Sequence, residues 1–154
     1  MYANILLSTD GSEVARKGLE HGFALAKALN AKVTVITVTE PLPFDVTEPA
    51  VINLTGPLSF DVRSGHGGGW SAEEVRRFDV ACKEKAGKVL DEAQPMAEHI
   101  GISAELLHIP NAHPASAMIE AAKSRGCDLI VMGSHGHRSL RKLFLGSQTS
   151  EVLV

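Results

Sequence analysis

Four short apolar runs, at residues 4–9, 32–38, 102–109 and 129–132, alternate along the chain with segments whose apolar residues recur at helical spacing. That alternation leaves few folds open, because strands separated by a helix must pair in parallel through right-handed crossovers, with both faces of the sheet covered. The order strand, helix, strand, loop, helix, strand, helix, strand, helix predicts an α/β fold, an open parallel sheet with helices on both faces. A chain of 154 residues fits a single domain of that kind over 1–154.

Local signals set the expected boundaries. After the first run comes Asp10-Gly11-Ser12-Glu13, then Ala15, Leu19, Gly22, Ala26 and Leu29 at helical spacing, with Asn30 as a left-handed stop. Asp10 with Glu13 three residues on also reads as a capping box for that helix. Residues 40–70 hold four prolines and the run Gly65-His66-Gly67-Gly68-Gly69 without sustained periodicity, so a long, mobile loop is expected there. Ser71 and Glu74 form a capping box, with Trp70 placed to staple onto Val75. The helix that follows is expected to bury Val75, Phe78, Cys82, Ala86, Val89, Ala93, Ala97 and Ile100, to kink or split at Pro95, and to end at Gly101. Pro114 suits the first position of a helix that stops at Gly126.

The most informative stretch for function is Met132-Gly133-Ser134-His135-Gly136, then nine residues, then Gly146-Ser147-Gln148-Thr149. A strand that ends in glycines and a helix that starts with hydroxyls suit a phosphate-bearing ligand: glycine permits close backbone approach, and the amides and dipole of a helix N-terminus favour anions. Each piece alone has a plainer reading, Gly133 and Gly136 as a turn and Ser147 as a helix cap. The combined spacing favours nucleotide binding. Arg138, Arg141 and Lys142 read as a solvated loop face or as triphosphate contacts. His135 and His137 flank the cradle without a third metal ligand, so they read as loop histidines.

A formal net charge of −3 gives no broad footprint for nucleic acid. No apolar run approaches the roughly 18 residues of a membrane span, and the N-terminus lacks a basic leader, so a soluble, cytoplasmic protein is expected. Cys82 and Cys127 are too few for a disulfide framework or zinc site and are expected to be reduced and buried.

On the residues 5–13, on Val35-Ile36-Thr37-Val38-Thr39-Glu40-Pro41, and on Asp128 to Gly136 with Gly146-Ser147, the chain resembles the universal stress protein family, specifically its ATP-binding branch with the G-x2-G-x9-G-[S/T] pattern. The resemblance covers nearly the whole chain. It implies a Rossmann-like sheet of order 3-2-1-4-5, with strands 1 and 4 neighbours at a switch point where ligands bind beside the strand C-termini. It implies Thr9 and Asp10 in the adenosine pocket, Val38 at the adenine edge through its main chain, and Met132 and Gly133 beneath ribose and α-phosphate. Gly136 would pass close to the phosphates, with Gly146, Ser147, Gln148 and Thr149 as the phosphate-binding run. ATP is the implied ligand, with Mg²⁺ (or Mn²⁺) held mainly by phosphates and water. The family pattern continues past the last helix into a fifth edge strand that pairs subunits. This chain ends at Val154, so four strands are expected here, with Thr149 to Val154 opening a helix whose inward positions are Val152 and Leu153. The intact protein is expected to continue and to form a homodimer.

The function so implied is an adenine-nucleotide-binding stress-response module, a nucleotide-dependent binding or switch protein. The alternative is a slow ATPase or autophosphorylating protein with Ser147 or Thr149 as phosphoacceptor, for which the sequence offers no base beside the cradle. There is no G-x4-G-K-[S/T] and no G-x-G-x-x-G after the first strand, which excludes Walker-type and dehydrogenase-type nucleotide sites. The third run ends Leu107-His108-Ile109-Pro110 rather than in the aspartate that a phosphoacceptor receiver domain needs.

Overall fold

A computed structural model of the chain describes residues 1–41, 71–133 and 147–153. Its elements are β1 (Asn4–Ser8), α1 (Glu13–Leu29), β2 (Lys32–Val38), α2 (Ala72–Ile100), β3 (Ala104–Ile109), α3 (Pro114–Ser124), β4 (Leu129–Val131) and α4 (Ser147–Val152). Among the described residues the sheet has four strands in the order β3-β2-β1-β4, all neighbours parallel. The reading of 40–70 as a loop falls largely outside the described residues, as do Trp70 and its contact with Val75.

Alternation along the strands divides the core in two. Ile5, Leu7, Val33 and Val35 point to the face covered by α1 and α2, where they meet Leu19, Phe23, Ala26, Leu90, Ala93 and Ala97. Leu6 and Ile36 point to the other face and pack on Met118, Ala121 and Ala122 of α3, with Val152 of α4 at the margin. β1 is the centre of this arrangement: Ile5, Leu6 and Leu7 are all fully buried.

Helix ends follow their local chemistry. Asn30 (φ 54°) and Gly101 (φ 81°) are left-handed C-caps, and Ser71 with Glu74 makes both bonds of a capping box. α2 corrects two expectations. It runs unbroken past Pro95: both Pro95 and Asp91, whose carbonyl loses its helical donor, lie on the exposed side, where water can take over. Its buried residues are Ala86, Leu90, Ala93 and Ala97, whereas Val75, Phe78, Cys82, Val89 and Ile100 are only half-buried. A helix of this length spans about 43 Å, roughly twice a strand of six residues. Only its C-terminal half therefore has a sheet to press against, and its N-terminal half extends past the strand C-termini. At the chain's end Val152 packs inward as expected, but Leu153 is 73% exposed. Leu153 lies one residue past the end of α4, where the helix no longer holds its side chain against α3. Cys82 and Cys127 are free but half-buried rather than buried, Cys127 at the margin of the α3-side core.

The opposite, N-terminal edge of the sheet is tied by Asp128, whose carboxylate accepts from the amides of Ala3 (2.9 Å) and Asn4 (3.1 Å). These bonds, led by that from Ala3, hold its carboxyl below the ordinary aspartate value.

Candidate functional site at the strand C-termini

Where β1 ends, the chain turns sharply into α1. The Thr9 amide continues the ladder onto the Ile36 carbonyl (3.0 Å), and the buried Thr9 hydroxyl accepts from the Gly11 amide (3.2 Å). Asp10 Oδ1 accepts from the Ser12 amide (2.9 Å), and Ser12 Oγ accepts from the Ala15 amide (3.1 Å). Ser12, not Asp10, is thus the N-cap of α1. Gly11, at φ +78°, bends the backbone so that Ser12 enters the capping position and the Asp10 carboxylate closes the turn before it. Asp10 is left half-exposed at the mouth of the crevice.

The end of β2 presents main chain to the same place. In a parallel strand both polar backbone groups of a residue point to one side, and successive residues alternate. Ile36 faces β1, through its bond from Thr9, and Thr39 faces β3: its amide donates to the Ile109 carbonyl (3.0 Å) and its carbonyl accepts from the Ala112 amide (3.2 Å). Val38, between them, directs its amide and carbonyl toward the β1 side, two residues past the last paired register, Ser8 with Ile36.

β4 closes the other wall. Ile5, Leu6 and Leu7 pair with Leu129, Ile130 and Val131, so Met132 and Gly133 continue beyond the sheet beside Thr9 and Asp10. The Met132 side chain joins the α3 side of the core, leaving its backbone toward the crevice. A Cβ on Gly133 would stand 3.2 Å from Val14 Cγ1 and 3.4 Å from the Ala15 nitrogen, and one on Gly18 would stand 3.6 Å from the Gly133 nitrogen. The end of β4 thus lies directly against the first turns of α1. From α4, the Thr149 hydroxyl donates to the Gly133 carbonyl (3.4 Å), and His113 Nδ1 lies 3.4 Å from Glu151 Oε2. The first contact returns the chain to Gly133, and the second ties α4 to the start of α3.

Of the residues expected at the site, Thr9, Asp10, Val38, Met132, Gly133 and Thr149 therefore converge on one end of the sheet. Ser147 and Gln148 contribute backbone to α4, while their side chains lie outside the described residues. So do Gly136, Gly146, His135, His137, Arg138, Arg141 and Lys142. Sequence reasoning missed Ser12, Gly18 and the pair Thr39–His108, which share a hydrogen bond of 3.0 Å between Oγ1 and Nε2. Burial, with the Lys83 ammonium second, pushes the His108 imidazole below its ordinary pKa. The signal for that pair is the register that sets Thr37 opposite His108, which only the assembled sheet supplies. Among the described residues no three His, Cys, Asp or Glu side chains gather as a metal site, and no helix is long and apolar enough to cross a membrane.

This crevice lies between neighbouring strands whose crossover helices cover opposite faces of the sheet, α1 leaving β1 for β2 on one face and α3 leading into β4 on the other, which is where open α/β sheets take ligands. Residues 1–154 match the profile of the universal stress protein family. The chain belongs to that family. Among curated relatives, a universal stress protein of Thermus aquaticus is 31% identical over 99% of this chain and 92% of its own length. The fold is shared with the universal stress protein UspA of Lactobacillus plantarum, at a TM-score of 0.74 and 21% identity over 99% of this chain and 90% of that one. Two further structures of the fold hold adenine nucleotides. A universal stress protein in complex with cAMP aligns at a TM-score of 0.63 and 22% identity, over 98% of this chain and 89% of that one. That of Archaeoglobus fulgidus in complex with dAMP aligns at 0.58 and 16%, over 99% and 90%.

Proposed function

We propose that this chain binds ATP in the crevice between the ends of β1 and β4 and acts in the stress response as a nucleotide-dependent binding or switch module. The observation that carries the reading is the convergence there of Thr9, Asp10, the Val38 main chain, Gly133 and Thr149, at the foot of the G-x2-G-x9-G-S stretch. The cAMP and dAMP complexes of other family members support the nucleotide class. In this reading Val38 meets the adenine edge, and Thr9 and Asp10 line the adenosine pocket. Met132 and Gly133 lie beneath ribose and α-phosphate, and Gly136, Gly146, Ser147, Gln148 and Thr149 attend the phosphates with amide and hydroxyl donors. A Mg²⁺ ion suits the site only as part of the nucleotide: with no carboxylate cluster among the described residues, phosphates and water would supply its ligands. Such a module fits a homodimeric, cytoplasmic protein.

Two measurements test the reading. Mass spectrometry of small molecules released from natively purified protein is expected to find ATP. Calorimetry is expected to show weaker ATP binding in Asp10→Ala with the fold intact, and equal affinity in the variant would refute the site. Steady-state hydrolysis is expected to lie well below the roughly 1 s⁻¹ at the slow end of ordinary enzymes. Faster turnover, lost in Thr149→Val or Ser147→Ala, would favour an ATPase.

A further inference from the structure

Thr39 stands one residue beyond β2 and is anchored three ways, all to the β3 side. Its amide binds the Ile109 carbonyl, its carbonyl takes the Ala112 amide, and its hydroxyl bonds His108 Nε2 at 3.0 Å. One backbone bond reaches Ile109 at the end of β3, and the other reaches Ala112 in the turn before α3, where Asn111 holds a left-handed φ of 52°. The side-chain bond reaches His108 on β3, directly opposite Thr37, which is 4% exposed. Val38, immediately before, has its polar backbone groups on the opposite side. Every bond that holds Thr39 against β3 therefore also fixes how far the Val38 amide and carbonyl project into the crevice.

We propose that the Thr39–His108 hydrogen bond is a positioning clip that sets the Val38 main chain for reading adenine, and so governs discrimination of the base rather than grip on the phosphates. The proposal rests on the nucleotide reading above. A backbone amide and carbonyl side by side suit adenine, which offers a ring-nitrogen acceptor beside an exocyclic amino donor. Guanine offers a ring N–H beside a carbonyl at the same edge, so both of its groups meet the wrong partner. Mispairing of this kind discriminates strongly only if the backbone groups cannot shift to relieve it. His108 is suited to the role because its ring is partly withdrawn from water and is kept neutral, able to share one bond with a hydroxyl without bringing a charge beside the base. The clip joins β2 to β3, on the far side of β1 from Gly133 and Thr149, so its loss is expected to leave the phosphate end unaltered.

The test is calorimetry on the full chain with ATP, GTP and tripolyphosphate, comparing wild type with Thr39→Val, Thr39→Ser and His108→Leu. Thr39→Val keeps the shape and the two backbone bonds but loses the hydroxyl. It is expected to weaken ATP binding about two- to tenfold, the range for one lost hydrogen bond, to lower the ATP-to-GTP affinity ratio by a similar factor, and to leave tripolyphosphate binding unchanged. Thr39→Ser, which keeps the hydroxyl, should retain the wild-type ratio. His108→Leu removes the partner from the other strand and should reproduce Thr39→Val, so it answers the question if Thr39→Val fails to fold. Wild-type binding of ATP with an unchanged ratio in folded Thr39→Val or His108→Leu overturns the clip and leaves the nucleotide site standing. A wild type that binds tripolyphosphate but neither nucleotide, or nothing at all, overturns both.

Discussion

Replacing Gly11 by alanine should destabilise the chain through two separable effects. Gly11 sits at φ +78°, and a Cβ built there would stand 2.8 Å from Val89 Cγ2 of α2. Holding an L-residue in the left-handed region costs about 1–2 kcal/mol, and forcing a methyl into a packed contact typically costs about 1–3 kcal/mol. Gly11→Ala should therefore lose about 2–5 kcal/mol, a large part of the roughly 5–15 kcal/mol that holds a domain folded. The clash is with Val89 Cγ2 alone; Cγ1 at 3.7 Å and Cβ at 3.8 Å stand at ordinary contact distance. Val89→Ala should thus remove the steric part and leave the backbone part. In a double-mutant cycle the pair should be less destabilised than the sum of the singles by about 1–3 kcal/mol. Equilibrium urea unfolding reads this directly, as a lowered midpoint at unchanged slope. A Gly11→Ala variant within about 0.5 kcal/mol of wild type, the usual range of neutral surface changes, would refute the geometry. Strict additivity of the two substitutions would refute the Val89 contact alone.

Two further outcomes follow from the same bonds. Asp128 has a carboxyl pKa lowered by the Ala3 and Asn4 amides, so its stabilising effect is complete above the unfolded value near 3.8 and is lost as pH falls through the lower folded value. The stability gap between wild type and Asp128→Ala, followed by urea midpoints from about pH 5 to about pH 2, should narrow with acid; a constant gap would contradict it. Ser71→Ala removes one half of the capping box at the start of α2 and should cost about 0.5–2 kcal/mol, and amide exchange in the first turn of α2 should rise with it; unchanged exchange there would place that turn's stability elsewhere.

What the sequence disclosed divides by range. β2 runs over the residues expected of it, and the stops at Asn30 and Gly101, the Ser71–Glu74 box and Pro114 at the start of α3 all appear, because each is decided within a few neighbouring residues. The cap of α1 was harder. Asp10-Gly11-Ser12-Glu13 holds two good capping residues, and the choice between them falls to the backbone bend at Gly11, which the pattern of residue types does not specify. The buried face of α2 was misjudged for another reason: periodicity tells which side of a helix is apolar but not how far the sheet beneath it reaches. At the site, Asp10 and Gly133 were legible through the motif and its place after a strand. The Thr39–His108 bond joins residues 69 positions apart, and nothing near either residue announces the other.

Among the described residues, three glycines beside the crevice act on one object, the start of α1. Gly11 admits Val89 of α2, Gly18 admits the backbone of Gly133, and Gly133 admits Val14 and Ala15. α1 is thus pressed onto the end of β4 backbone to backbone, and the floor of the crevice is built from main chain on both sides. A side chain at Gly133 would act first on the helix rather than on a ligand. The nearest atom belongs to Val14, which is 44% exposed and free to turn away, but the next is the Ala15 nitrogen, which moves only if α1 moves. Because Ser12 caps that same turn and Asp10 bonds Ser12, a shift of α1 would carry the Asp10 carboxylate with it. Weakened nucleotide binding in a Gly133 variant would then report a displaced helix as readily as a blocked phosphate. Asp10→Ala leaves every glycine contact in place but removes the bond to the Ser12 amide, so loss of binding in that variant reports the carboxylate's own part in holding the ligand when amide exchange at Ala15 shows the α1 cap unchanged.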